Sequence, residues 1–242
     1  MNYMITQANN NSLKRNAAAG LFEGPDGWLL ATEGGLIRRD DRIAVIADVH
    51  LGYEWARAAR GDVVPAHSLE ETLTKLERML DRASIDRLIV AGDLVESTRA
   101  CVSTERDVDA LRSRLSDRSI ELVRLAGNHD AASTRLEECA IVSGWTIIHG
   151  HIDKKPDNCK FIQGHIHPIL KASGIVAPCF LVASDTIVLP AFSSNAAGVD
   201  VATGALPAGL KGRPLRCVAS SGVDLRDFGP VCTLSERLRR LR

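Results

Sequence analysis

Leu125-Ala126-Gly127-Asn128-His129-Asp130 decides the reading of this chain: an apolar run meets a glycine and then presents an amide, an imidazole and a carboxylate in succession. A strand that ends in glycine can turn sharply and aim the next side chains across the carboxyl edge of a sheet, where open α/β sheets bind ligands. The arrangement recurs on either side of this stretch. Ile43-Ala44-Val45-Ile46-Ala47 leads into Asp48-Val49-His50, and Leu88-Ile89-Val90-Ala91 leads into Gly92-Asp93. Trp145-Thr146-Ile147-Ile148 leads into His149-Gly150-His151, and Phe161-Ile162-Gln163 into Gly164-His165-Ile166-His167. Five apolar strands thus end in side chains of metal-ligating type.

The intervening sequence reads as a βαβ series. Gly27-Trp28-Leu29-Leu30 and Gly34-Gly35-Leu36-Ile37 form an opening hairpin, and Asp40-Asp41 turns the chain into the first central strand. That strand, residues 43 to 47, is continuously aliphatic, as in a sheet covered on both faces. An Arg- and Gly-rich stretch from Tyr53 to Pro65 follows. Ser68-Leu69-Glu70-Glu71 then has the form of a capping box, and Leu69, Leu73, Leu76 and Leu80 make one helical stripe. Residues 87 to 91 are the next strand. Val108, Leu111 and Leu115 mark a second helix from near Ser103 or Thr104, and residues 120 to 126 form the third strand. From Trp145 the pattern changes to short strands and turns, with Cys179 to Ala183 and Thr186 to Leu189 as a hairpin around Ser184-Asp185. Ser235 is placed to cap a last helix with Leu234, Leu238 and Leu241 inward and Arg237, Arg239, Arg240 and Arg242 outward, a solvated charged face.

Length and composition bound the function. At 242 residues the chain can bury one large core. The expected organisation is a flexible tail over residues 1–20 and a single domain over residues 21–242. Hydrophobic residues at 45% and charged residues at 25% are ordinary for a globular protein, and aromatics at 4% make the core aliphatic. Thirty basic residues balance thirty acidic ones, so any nucleic-acid binding must come from a local surface. Cys101, Cys139, Cys159, Cys179, Cys217 and Cys232 lie at least 15 residues apart without a Cys-x-x-Cys pair, and they read as buried thiols in a reducing cytoplasm. No window approaches the ~20 apolar residues of a membrane span, nor does Met1 to Phe22 read as a signal peptide. The expected protein is soluble and cytoplasmic.

Asp48 and His50, two apart at a strand end, leave the same face and can meet one ion; His165 and His167 repeat that geometry. Asp93 has oxygens enough to bridge two cations, Asn128 offers a neutral carbonyl oxygen, and His149 another imidazole. This mixed nitrogen and oxygen set without thiolate suits Mn²⁺, Fe or Zn²⁺ and disfavours Ca²⁺. Any one piece occurs by chance, but five in order, each closing an apolar strand, do not.

In that order, Asp48-x-His50, Gly92-Asp93, Gly127-Asn128-His129-Asp130, His149-Gly150 and Gly164-His165-x-His167 resemble the five motifs of the calcineurin-like metallophosphoesterases. The resemblance implies an α/β fold of four αββα layers, two mixed sheets flanked by helices, with two metals at the sheet edge. It also implies that Asp48, His50 and His167 hold one metal, that Asn128, His149 and His165 hold the other, that Asp93 bridges them, and that His129 acts on the substrate. More narrowly, Ala47-Asp48-Val49-His50-Leu51-Gly52, Val64-Pro65, His167-Pro168 and Leu189-Pro190-Ala191-Phe192 are similar to the DNA-ligase-associated branch, regarded as phosphodiesterases or endonucleases of DNA repair. Ser193-Ser194-Asn195 departs from the glycine that this branch more often has.

The chemistry implied is hydrolysis of phosphodiesters by metal-activated hydroxide with two divalent ions, Mn first and Fe or Zn as alternatives. His129 protonates the leaving oxygen or stabilises its charge. The expected substrate is a phosphoester, with nucleic acid and repair partners following from the narrower resemblance and no membrane partner. Arg57 and Arg60 are either substrate-gripping or surface arginines. Two other readings stay open: a small-molecule phosphomonoesterase or nucleotide hydrolase, and a non-catalytic scaffold, which would be expected to have lost ligands where this chain has lost none.

Overall fold

Alternate residues of the strand Ile43–Ile46 face opposite ways, and both ways are buried: Ile43 and Val45 join one core, Ala44 and Ile46 another. A strand covered on both faces lies inside a stack of layers. The computed structural model describes residues 15–16, 20–130, 136–152 and 159–239 and shows those layers to be two mixed sheets and helices.

In the first sheet, neighbours follow chain order: β1 (Arg15–Asn16), β2 (Leu21–Glu23), β3 (Leu29–Ala31), β4 (Leu36–Arg38), β5 (Ile43–Ile46), β6 (Arg87–Val90) and β7 (Glu121–Arg124). The pairs up to β5 are antiparallel, and β5, β6 and β7 run parallel. Parallel neighbours need crossovers. These contain α1 (Tyr53–Ala58) and α2 (Ser68–Leu80) after β5, and α3 (Val102–Asp117) after β6. Leu76, Met79 and Leu80 of α2 and Leu111 and Leu115 of α3 pack on Ala44, Ile46, Leu88 and Val90.

The second sheet is built from β8 (Cys139–Val142), β9 (Trp145–Ile148), β10 (Lys160–Gln163), β11 (Pro168–Ala172), β12 (Ile175–Val182), β13 (Thr186–Val188), β14 (Val199–Asp200), β15 (Arg216–Ser220) and β16 (Leu225–Pro230). Its order is β14-β11-β12-β13-β10-β9-β8, with β15 also on β12 and β16 on β15. Phe180 and Val182 face the first sheet, where Trp145, Ile147 and Ile162 meet Trp28, Leu30, Val45 and Ile89. The alternate residues Cys179 and Leu181 face outward beneath Val201, Leu210 and Leu234, the last from α4 (Val231–Arg239). Each such fully buried aliphatic side chain contributes roughly 1.5–3 kcal/mol.

Several local expectations are corrected. Ser68 does not close a capping box: it is the first residue of α2, with no side-chain cap from His67 before it. Instead the buried Glu54 carboxylate accepts from the N–H groups of His67 and Ser68 at 2.9 and 2.6 Å and from the Ser68 hydroxyl at 2.5 Å. A full negative charge at a helix N-terminus outcompetes a neutral hydroxyl. The last helix begins four residues before Ser235, and the Arg237 guanidinium turns back to the Phe228 carbonyl. Of the cysteines only Cys179 and Cys217 are buried. Cys139 lies on the edge strand β8 and Cys232 on α4, both exposed, because neither position faces a core. The expected tail lies outside the described residues except for residues 15, 16 and 20, as do Arg240, Leu241 and Arg242. Among the described residues no helix is long and apolar enough to cross a membrane.

Candidate metal centre

Asp48 and His50 follow β5, Asp93 follows β6 and Asn128 follows β7, so the first sheet delivers these four along one edge. His149 follows β9, and His165 and His167 follow β10, neighbouring strands of the second sheet. The two edges meet. One ligand atom each from Asp48, His50 and His167 lie within 4.8 Å of one another, and so do those of Asp93, His149 and His165. Asn128 Oδ1 stands 2.9 Å from His149 Nε2, and Asp93 Oδ2 stands 3.2 Å from that nitrogen. His165 and His149 have ring centroids 5.0 Å apart. The structure therefore brings together all the expected ligands, and His129 joins them at 5.1 Å from the His50 ring.

His149 Nδ1 lies 3.0 Å from Ala91 O and His167 Nδ1 lies 2.8 Å from Ala197 O. A carbonyl oxygen only accepts, so each Nδ1 carries the hydrogen and each Nε2 is left with a lone pair. Those lone pairs face other lone pairs: His149 Nε2 meets Asn128 and Asp93 oxygens, and His167 Nε2 meets Asp48 Oδ1 at 3.1 Å. Asp48 Oδ1, both nitrogens of His50 and His167 Nε2 are buried without a hydrogen bond among the described residues. His50 Nδ1 lies 2.8 Å from Glu96 Oε2 but outside hydrogen-bond alignment. Buried acceptors that converge without donors call for positive charge between them. Burial pushes the His149 and His167 imidazoles down, yet hydrogen bonds and charges from Asp93 and Asp48 lift both above their ordinary value. His165 is lowered, by burial first and by His149 next. The residues fit divalent cations.

The backbone is held in an uncommon state here. Asp48, His50, Asp93, His165 and His167 have φ of 57, 52, 50, 71 and 45, left-handed values that side chains other than glycine adopt at a cost of roughly 1–3 kcal/mol each. Such turns let successive side chains curl round one point. Gly127 and Gly164 serve a different need, close approach. A Cβ on Gly127 would stand 2.1 Å from Asp93 Oδ1, and one on Gly164 2.4 Å from Asp48 Oδ2. Gly127→Ala is therefore expected to push the Asp93 carboxylate aside and reduce metal affinity or turnover by ~10–100-fold, the scale of a lost outer-shell support. Metal titration and hydrolysis rates check this; an unchanged metal affinity in a folded variant would contradict it.

Sequence reasoning left several supports unassigned. Asp130, the buried last residue of its motif, accepts from the N–H groups of Asp93 and Gly127 at 3.0 Å each and pairs with Arg124 at 3.2 Å. Glu96 approaches His50 with its carboxylate and takes His129 Nδ1 on its backbone oxygen at 2.6 Å. The carbonyls of Ala91, Glu96 and Ala197 carry no side-chain signature, so composition could not have found them. Burial would raise the Asp93 carboxyl, but His149 and the His129 N–H bring it down to about 2. Ser193 lies against Asp48, its N–H 3.0 Å from Asp48 O. His151 is exposed, its ring 5.2 Å from that of His149. Arg57 in α1 is engaged by Asp62 at 3.0 Å, and Arg60 is exposed just beyond that helix.

A family model described as calcineurin-like phosphoesterase matches residues 41–177. Over 89 residues, 37% of this chain, the sequence is 32% identical to the DNA double-strand break repair protein Mre11 of Methanopyrus kandleri. The matched stretch is 19% of that relative, so this chain spans about a fifth of its length. Among solved structures, the crystal structure of the nuclease MPE of Pseudomonas putida superposes with a TM-score of 0.66, covering 85% of this chain and 98% of that one at 21% identity. At that identity the likeness is one of fold.

Proposed function

Because this chain belongs to the calcineurin-like phosphoesterase family and is thus a metal-dependent phosphoesterase, we propose that it cleaves phosphodiesters, as a nuclease acting in DNA repair. The observation that carries the reading is the convergence of buried oxygen and imidazole acceptors from both sheets on one edge. Asp48, His50 and His167 hold one ion, Asn128, His149 and His165 hold the second, and Asp93 is shared. A mixed nitrogen and oxygen set suits Mn first, with Fe or Zn as alternatives. A divalent pair, when bound, supplies the charge that acidifies water and neutralises phosphoryl oxygens.

The remaining work falls to the chain. His129 Nδ1 is committed to Glu96 O, which leaves Nε2 as the atom that holds or gives a proton at the leaving oxygen. The His129 backbone N–H donates to Asp93 Oδ1 at 2.8 Å, so the same residue fixes the shared carboxylate and serves the substrate. The nucleic-acid part of the reading draws on the Mre11 and MPE likenesses, and a cytoplasmic setting with repair partners goes with it.

The test is hydrolysis by metal-depleted protein supplied in turn with Mn²⁺, Fe²⁺ and Zn²⁺. Substrates are bis- and mono-(p-nitrophenyl) phosphate and single- and double-stranded DNA and RNA. The diester is expected to be preferred and nucleic acid to be cut with Mn²⁺, with an affinity that falls with salt at a slope of roughly 0.7–0.9 per phosphate contacted. A strong monoester preference with no nucleic acid cut would replace this reading with a small-molecule phosphatase.

A further inference from the structure

We infer that a cleft beside the metal centre, lined by Arg99, Arg112 and Arg124, binds a second phosphate of the substrate, one flanking the phosphodiester that is cut. The inference rests on the nucleic-acid reading above and names where the rest of such a strand goes. The cleft has a volume of about 400 Å³, and its lining includes neighbours and partners of residues that support the centre. Val95 and Ser97 line it and flank Glu96, whose carbonyl takes His129 Nδ1. Arg124 lines it too, and its partner Asp130 holds the N–H of Asp93.

The guanidinium groups have capacity to spare. Arg124 gives Nη2 to Asp130, but its Nε is buried without a hydrogen-bond partner among the described residues. Among the described residues the partner of Arg112 is Asp109, 3.4 Å away with both side chains more than half exposed, a pair worth little that a phosphate can displace. Arg99 is exposed on the turn that follows Glu96, where its backbone N–H is held by Ser97 Oγ at 3.2 Å. The first turn of the 16-residue α3 also reaches the cleft through Cys101 and Thr104, and its N-cap residue makes no side-chain capping bond. The positive end of the helix dipole adds to the potential there.

Glu105 and Asp109 line the cleft as well, so three cationic side chains stand against two anionic ones. Selection of phosphate therefore comes from the planar, two-pronged guanidinium geometry rather than from net field. With zero net charge on the whole chain, a local grip of this kind is what a phosphate-bearing polymer requires.

Arg99→Ala, Arg112→Ala and the double variant test the inference, since neither arginine touches the metal centre and both are exposed. Hydrolysis of bis(p-nitrophenyl) phosphate, which has no flanking phosphate, is expected to stay within about 2-fold of wild type, as for other exposed substitutions. The inhibition constant of 5′-phosphorylated dithymidylate against that hydrolysis is expected to rise about 10-fold or more, the scale of a charge-assisted hydrogen bond. The salt slope for a thymidine decamer should fall by about one per arginine removed. An unchanged inhibition constant, or a loss of bis(p-nitrophenyl) phosphate turnover in step with it, would overturn the cleft. If wild type hydrolyses bis(p-nitrophenyl) phosphate but cuts no oligonucleotide, the nuclease reading fails, and the dinucleotide inhibition constants still decide whether the cleft takes phosphate.

Discussion

Asp93→Asn is expected to lower phosphodiester turnover by at least ~10²-fold, the upper end of what loss of a merely supporting group does, and to empty both halves of the centre together. Its carboxylate is 2% exposed, lies 3.2 Å from His149 Nε2 through Oδ2 and accepts the His129 N–H through Oδ1. Asparagine keeps the shape and tolerates left-handed backbone, so φ of 50 is preserved while the charge between the two ligand groups is lost. Metal content per chain, measured beside kcat/KM, checks the result. Loss of one ion with the other retained would show that Asp93 is not shared.

His129→Ala is expected to leave metal content intact and to lower turnover by ~10²–10⁴-fold, the range of general acid catalysis. The separation follows from the ring's position: Nδ1 is bonded to a backbone carbonyl, and the His129 contact to Asp93 is made by the main chain, which alanine keeps. The loss should shrink on substrates with good leaving groups, which need little protonation. A fully metallated variant that turns over poor leaving groups at the wild-type rate would remove His129 from the chemistry.

The sheet edge was legible because it is written locally. Each of β5, β6, β9 and β10 is an aliphatic run followed within a few residues by Asp, His or Gly-Asp, and period and spacing carry that information unaided. What lay beyond sequence was long-range. Glu54 caps α2 from 14 residues away, a partnership that no helix-start pattern encodes. The α4 start was misplaced because Ser235 has a capping side chain but no helix end to cap. Asp130 supports the centre through the backbone N–H groups of Asp93 and Gly127, and Glu96 does so through its own carbonyl on the His129 ring; the sequence shows only that both are acidic. The cleft of Arg99, Arg112 and Arg124 draws on three separate segments, each of which reads as ordinary surface.

The left-handed residues at the centre set stability against function. Glycine at position 48, 50, 93, 165 or 167 would release the roughly 1–3 kcal/mol of steric strain held there, less the ~0.4–1 kcal/mol by which glycine loosens the unfolded chain. The same change would delete a ligand atom. Where strain relief is the larger quantity, the most stable version of this chain is an inert one. Selection for heat resistance alone would then drift away from the active sequence at the very residues that define it, while selection for turnover would hold five unfavourable backbone conformations in place.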